Sequence, residues 1–173
     1  MPLTVRPART ADVLAITRIY AEAVRHGTAS FEIDPPAEAE IARRQRTLRD
    51  AGYPYLAAEL DGAVVGFAYA GPYRSRAAYR WSVEDSVYVA PAAFRRGVGG
   101  ALLARLIAEC EARGFRQMIA VIGDSAQTPS IELHRLAGFR LVGTLENVGF
   151  KSGRWLDSVL MQRALGEGGK TEP

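Results

Sequence analysis

The chain has 173 residues, 48% hydrophobic and 24% charged, enough for one well-buried core and too few for two ordinary domains, so a single domain over residues 1–165 is expected. The net charge of +3 suggests a polyanion binder, but lysine stands only at Lys151 and Lys170, the arginines are interleaved with acids, and there is no RNP-like aromatic motif, zinc-finger spacing or recognition helix. A lone Cys110 excludes a disulfide framework or a multi-cysteine metal site; no apolar run nears the roughly 20 residues of a membrane span, and "MPLTVRPART" lacks a signal-peptide core, so a cytoplasmic protein with no nucleic-acid or membrane partner is expected.

The elements alternate along the chain. "LTVRPA" reads as a strand, after which Thr10 caps a helix whose Val13, Leu14, Ile16, Ile19, Tyr20 and Val24 keep helical spacing, with Asp12 in its first turn and an end near His26 and Gly27. "TASFEIDPP" is a loop, and Pro36 suits the first turn of a second helix, "AEAEIARRQRTLRDA", stopped at Gly52. "YPYLAAEL" and "AVVGFAYAGPY" flank Asp61-Gly62, a strong hairpin dipeptide, and form an antiparallel pair. "YRWSVEDSVYVAP" is a long strand whose pattern breaks around Glu84 and Asp85, where a bulge fits.

"RRGVGGALL" follows. The helix it opens places Leu102, Leu103, Leu106, Ile107 and Cys110 on one face and Arg105, Glu109 and Arg113 elsewhere, and Gly114 ends it. "QMIAVIG" is a nearly continuous apolar strand, "SIELHRLAG" a short helix ending at Gly138, and "FRLVGTLENVGF" and "RWLDSVLMQRA" are two final strands. "GEGGKTEP", residues 166–173, reads as a disordered tail.

The glycine-rich loop before a helix has the chemistry of an anion site. N–H groups at a helix start are unpaired, they carry the positive end of the dipole, and glycines admit a ligand to the backbone; Arg95 and Arg96 add charge. A P-loop would need Lys-Ser or Lys-Thr where Ala101 and Leu102 stand, and a dinucleotide fingerprint would need a third glycine at Leu102. The stretch alone also fits a glycine-rich turn with solvated arginines.

A strand ending "DSVYVAP", then "FRRGVGGALL", an apolar strand and "SIELHRLAGF" resemble, in that order, the GNAT superfamily of N-acetyltransferases. "AYAGPYRSRAAYRWSVEDSVYV", "AVIGDS" and "SIELHRLAGF" together resemble its phosphinothricin and L-amino-acid N-acetyltransferase branch, from Thr4 to about Arg163. The resemblance implies an α/β (α+β) GNAT fold: a mixed, mostly antiparallel sheet of about seven strands, splayed after the fourth, with about four helices. It implies that Arg95, Arg96, Gly97, Val98, Gly99, Gly100 and Ala101 hold the pyrophosphate of acetyl-CoA, with backbone from Val87, Tyr88 and Val89 pairing with the pantetheine arm. Ser130 keeps its place in this site, whereas Gln127 departs from the branch's asparagine, a side chain associated with cofactor contacts.

The same resemblance implies catalytic roles for Glu84, a general base for the incoming amine, and His134, a proton donor to the leaving thiolate or an aid to amine deprotonation. Acyl transfer to an amine needs both a neutral nucleophile and a protonated leaving group. Arg74 and Arg76 match positions used around a carboxylate-bearing acceptor, and Phe31 and Tyr79 are expected to line its pocket. The expected partners are a small-molecule amine and a second copy of the chain as a homodimer, with acetyl-CoA as co-substrate and no metal. His26 is read as a helix-terminal residue, Cys110 as core, and Trp81 and Trp155 as packing residues.

Overall fold

The computed structural model describes residues 2–173. Its strands are β1 (Thr4–Pro7), β2 (Tyr55–Leu60), β3 (Ala63–Pro72), β4 (Ser82–Val89), β5 (Gln117–Gly123), β6 (Arg140–Lys151) and β7 (Arg154–Ala164). They make one sheet in the order β1-β2-β3-β4-β5-β7-β6, in which only the β4–β5 pair is parallel. The helices are α1 (Val13–His26), α2 (Glu38–Asp50), α3 (Val98–Ala112) and α4 (Thr128–Leu136). The expected mixed, mostly antiparallel architecture is therefore present.

Local chemistry explains most of the turns. Asp61 (φ 53°) and Gly62 (φ 80°) are both left-handed, the geometry of a two-residue hairpin turn, and β2 and β3 pair from Leu60–Ala63 outward. Gly52, Gly114 and Gly138 follow the ends of α2, α3 and α4 at φ 82–87°, a region where a side chain is strained.

Two sequence expectations are corrected at helix starts. Thr10 is not the cap of α1: it opens a short 3-10 turn, Thr10–Asp12, capped by Arg9, and Asp12 is the cap of α1, its carboxylate reaching back to accept from Arg9 N–H at 2.7 Å. Asp12 also accepts from Arg6 at 2.7 Å, so a buried acid ties β1 to the helix entry. Pro36 lies just before the Ala37 cap of α2 and not in its first turn.

The faces of the sheet are covered separately. α3 lays Leu102, Leu103, Leu106 and Cys110, all fully buried, against Ala58, Ala68, Val83, Met118 and Ala120. Each such leucine contributes about 1.5–3 kcal/mol by leaving water. On the opposite face α1 and α2 bring Ile16, Tyr20, Val24 and Ile41 onto Tyr55, Ala57 and Phe67. The outer face of α3 carries Arg105 and Arg113 on Glu109, as the sequence pattern implied.

No bulge interrupts β4. Its pairing with β3 is continuous from Val83 to Val89, and the register irregularities fall instead in the β2–β3 pairing, between Ala58 and Glu59, and along β6, between Leu141 and Gly143 and between Leu145 and Gly149. The pattern breaks at Glu84 and Asp85 because the sheet itself parts there. The last β4–β5 pair is Asp85 with Ala120, although β4 continues to Val89 and β5 to Gly123. Beyond it the two parallel strands diverge and leave a cleft.

Trp155 is not a core residue: it is 62% exposed and meets Phe150 edge-on. Cys110 is fully buried, and burial pushes its thiol up to about 12. The segment expected as a tail, residues 166–173, leaves buried Leu165 in turns on which Arg116 donates to Gly168 O, Thr171 Oγ1 and Glu172 O.

Candidate active site

Strand alternation decides which backbone groups face the cleft. Ala90 N–H donates to Val65 O and Tyr73 N–H to Ser82 O, so even-numbered β4 residues bond to β3 and odd-numbered ones point the other way. Val87 and Val89 thus direct their amides into the gap, free of β5. Tyr88, expected with them, bonds to β3 and packs its ring against Tyr20 (5.0 Å) and Phe67 (5.2 Å). The cleft is lined by Ser86, Val87 and Tyr88 on one side and Ala120 to Gly123 on the other, with Ser130 and His134 of α4 closing it.

At one end of β4 the chain turns into α3. Gly97 caps the helix at φ 79°, and Arg95 before it is also left-handed at φ 60°. The first helical bond is Ala101 N–H to Gly97 O (3.0 Å), so the amides of Val98, Gly99 and Gly100 lie ahead of the hydrogen-bond ladder. Ala101 is therefore not an anion donor through its amide. Arg96 leans toward Asp61 of the hairpin turn at 3.6 Å. Free amides at the dipole's positive end, beside two arginines, fit a pyrophosphate.

The nearest atoms that a Cβ at Gly99 would meet belong to the Leu133 and Val89 side chains at 3.5–3.8 Å, ordinary contact, so Gly99→Val is expected to fold. Its branched side chain would stand between the amides and the anion. Calorimetry should show acetyl-CoA affinity reduced about 10-fold or more, at least ~1.4 kcal/mol.

Glu84 lies on the α1–α2 face, half-buried, opposite Gly71 of β3. Burial raises its pKa, the neighbouring Asp85 adds to this, and Arg74 opposes it. Glu84 and Arg74 thus share one electrostatic neighbourhood. Arg74 stacks over Tyr73 (5.1 Å), which meets Tyr79 edge-on (5.7 Å); Arg76 is exposed at the start of the next turn. Arg80 stacks on Trp81 rather than pairing with Glu84.

Phe31 stands across the parting. A Cβ on Gly123 of β5 or Gly149 of β6 would approach its ring to 2.7 or 2.5 Å, so these glycines are what let the α1–α2 loop lie against the sheet. Gln127, expected near the cofactor, instead serves this loop: its Nε2 donates to Thr28 Oγ1 (3.0 Å), which donates to Asp124 Oδ2 (2.7 Å), where Arg154 also binds.

His134 departs most from its expected role. Nδ1 lies 2.7 Å from Ser130 O, which can only accept, so Nδ1 carries a proton; Nε2 lies 2.9 Å from Asp85 Oδ2. Burial works to lower its pKa, but the hydrogen bond and charge of Asp85, aided by Ser130 O, raise it. Both ring nitrogens are engaged, Nδ1 with Ser130 O and Nε2 with the Asp85 carboxylate, so a proton would pass from His134 to a substrate only by breaking one of these bonds. Sequence reasoning missed Asp85 because 49 residues separate it from its partner.

A cavity of about 250 Å³ between α2 and the sheet was also not visible in the sequence. Tyr20, Tyr55, Phe67, Tyr69 and Leu48 line it, with Arg44 held by Glu32 at 2.8 and 2.9 Å. Leu48 reaches over Gly71, the cross-strand partner of Glu84, where a Cβ would meet it at 3.3 Å. Among the described residues no group of three or more His, Cys, Asp or Glu could hold a metal, and no helix is long and apolar enough to cross a membrane.

A splayed mixed sheet, free β4 amides, an open helix N-terminus with two arginines, and a half-buried carboxylate make a site suited to an extended ligand with a phosphate group at one end and to proton transfer at the other. The Acetyltransferase (GNAT) family model matches residues 16–139, and the chain belongs to that family. It is an acetyl-CoA-dependent N-acetyltransferase. It is 55% identical over 170 residues to a phosphinothricin N-acetyltransferase of Alcaligenes faecalis, covering 98% of this chain and 86% of that one. It is 42% identical to an L-methionine sulfoximine/L-methionine sulfone acetyltransferase of Salmonella typhimurium, covering 95% and 96%. A phosphinothricin acetyltransferase from Sinorhizobium meliloti, solved in complex with acetyl-CoA, superposes with a TM-score of 0.97 at 52% identity, covering 100% of this chain and 94% of that one.

Proposed function

We propose that the chain transfers the acetyl group of acetyl-CoA to the primary amine of a small amino-acid-like acceptor of the phosphinothricin or methionine sulfoximine kind, by direct attack in a ternary complex. The observation that carries the reading is the half-buried Glu84 on the acceptor face of the strand whose far side edges the cleft. Acetyl-CoA supplies the activated acyl group. The amides of Val98 to Gly100, with Arg95 and Arg96, hold its pyrophosphate, and Val87 and Val89 pair with its arm. One of those amides lies near the thioester oxygen and polarises the carbonyl. Glu84, with its pKa raised by burial and Asp85, takes one proton of the incoming ammonium directly or through water, and the second proton that the nitrogen loses as the amide forms passes to the departing CoA sulfur.

Arg74 clamps the acceptor carboxylate with help from Arg76, and Phe31 and Tyr79 bound the pocket. The cavity beneath Leu48 leaves room for an apolar side chain. Arg74→Ala should raise KM about 10-fold or more for acceptors with a free carboxylate, and far less for their amides or esters, since only the carboxylate uses the charge. Equal losses on both would remove the clamp. A panel of amines assayed for CoA release tests the acceptor class as a whole; preference for an aminoglycoside or a peptide N-terminus would overturn it.

The chain acts as a cytoplasmic homodimer in this reading. β6 is an edge strand, and Leu141, Val142, Leu145, Val148 and Phe150 are each at least 50% exposed along it. Such an apolar row marks an interaction surface. Sedimentation at micromolar concentration reads the state directly, and a monomer there would count against it.

A further inference from the structure

The inner end of the cleft carries a polar atom with no part in the chemistry above. Asp85 is the last β4 residue paired with β5, and its side chain is 1% exposed. Oδ2 accepts from His134, whereas Oδ1 is buried without any hydrogen-bond partner, and the residue lines the cleft. Leaving a buried acceptor without a donor is unfavourable, and more so when it is charged. His134 cannot provide a second bond, since Nδ1–H is committed to Ser130 O. The other titratable groups within electrostatic reach of the carboxylate are Glu84, its chain neighbour on the opposite face of β4, and Cys110 on α3, and neither bonds to Oδ1.

We propose that Asp85 Oδ1 is a ligand for the thioester end of acetyl-CoA, accepting a hydrogen bond from the arm's terminal amide N–H. This rests on the reading of the β4–β5 cleft as the channel of the arm. From Val89 to Asp85 is four residues, about 13 Å of strand at ~3.3 Å per residue. An extended arm running down that length from the pyrophosphate meets the free backbone of Val89 and then Val87. At Asp85 this ladder ends, because its backbone is paired with β5. The side-chain oxygen is then the acceptor that remains in line. The thioester has no N–H or O–H of its own, so the arm donor nearest to it is the amide two carbons from sulfur. Fixing that amide orients the thioester relative to Glu84 on the other side of the strand.

The test compares two ligands by calorimetry: acetyl-CoA, and 3′-phosphoadenosine 5′-diphosphate, which has the pyrophosphate but no arm. The double variant Asp85→Ala/His134→Phe removes both members of the pair and strands no polar group. It should bind acetyl-CoA about 10-fold more weakly, a loss of ~1.4 kcal/mol, and the armless ligand unchanged. Asp85→Asn should rescue: its amide can donate to a neutral His134 Nε2 while its oxygen stays in the Oδ1 position, keeping acetyl-CoA affinity within about 3-fold. Unchanged acetyl-CoA affinity in the double variant, equal loss of both ligands, or failure of Asp85→Asn to rescue would each overturn the proposal. Val87→Pro removes a cleft amide that β3 does not use. If it weakens acetyl-CoA binding while the double variant does not, only the role of Asp85 falls; if it has no effect, the channel reading falls too.

Discussion

Glu84→Gln should lower kcat about 10²- to 10⁴-fold at neutral pH while acetyl-CoA affinity stays unchanged. The amide keeps the size and hydrogen-bonding capacity of the carboxylate but cannot take a proton. Glu84 must be ionised to act, and burial raises its pKa. Wild-type activity should therefore fall as pH drops through a value above the 4.5 of a free glutamate, and the variant should lack that limb. Its residual rate should climb toward the pKa of the acceptor's own amine, because solution deprotonation then replaces the missing base. The measurement is kcat against pH for both proteins with one good acceptor. Near-wild-type turnover in Glu84→Gln at neutral pH would assign the proton to ordered water or another residue.

His134→Ala tests the buried pair through stability. Removing one partner leaves the other charge uncompensated, a loss of about 3–5 kcal/mol. For a chain of this length that corresponds to a fall in Tm of roughly 6–20 °C. The sign of the pH dependence follows from the raised His134 pKa. Folding favours the protonated ring, so the contribution is fully present below the unfolded value of 6.5 and is lost as pH rises through the higher folded value. The gap in Tm between wild type and variant should thus narrow from mildly acid to alkaline pH. A gap that widens with pH would mean the ring is neutral in the fold. Because both nitrogens are engaged, we expect kcat in His134→Ala to fall less than in Glu84→Gln.

The two variants fail in different ways because their residues face opposite sides of one strand. Glu84 points toward α1 and α2, where an acceptor can approach; Asp85 points toward α3 and α4 and holds His134. Adjacent acids on a strand look alike in a sequence, yet alternation places them in different compartments.

Much of this protein could be read from its sequence because the forces involved are local. The leucine spacing of α3, the Asp61-Gly62 turn, the glycines that end three helices and the amide-rich start at Gly97 to Gly100 each depend on residues within one or two turns of one another. The dihedral and hydrogen-bond demands of those motifs are met by neighbours in the chain, so their residue types reveal them. Expectations failed where a partner came from far away. Pattern alone suggested a bulge at Glu84 and Asp85, because nothing nearby shows that two parallel strands diverge there. Gln127 was placed near the cofactor until Thr28, 99 residues distant, took its amide. The resemblance implies that His134 gives a proton to the leaving thiolate or aids amine deprotonation, and nothing near it in the chain shows that its Nε2 meets a carboxylate 49 residues earlier on another element. Composition and periodicity thus determined the elements and their apolar faces. Only the tertiary structure decided which polar groups meet in the low-dielectric interior, where a partner fixes charge, tautomer and role.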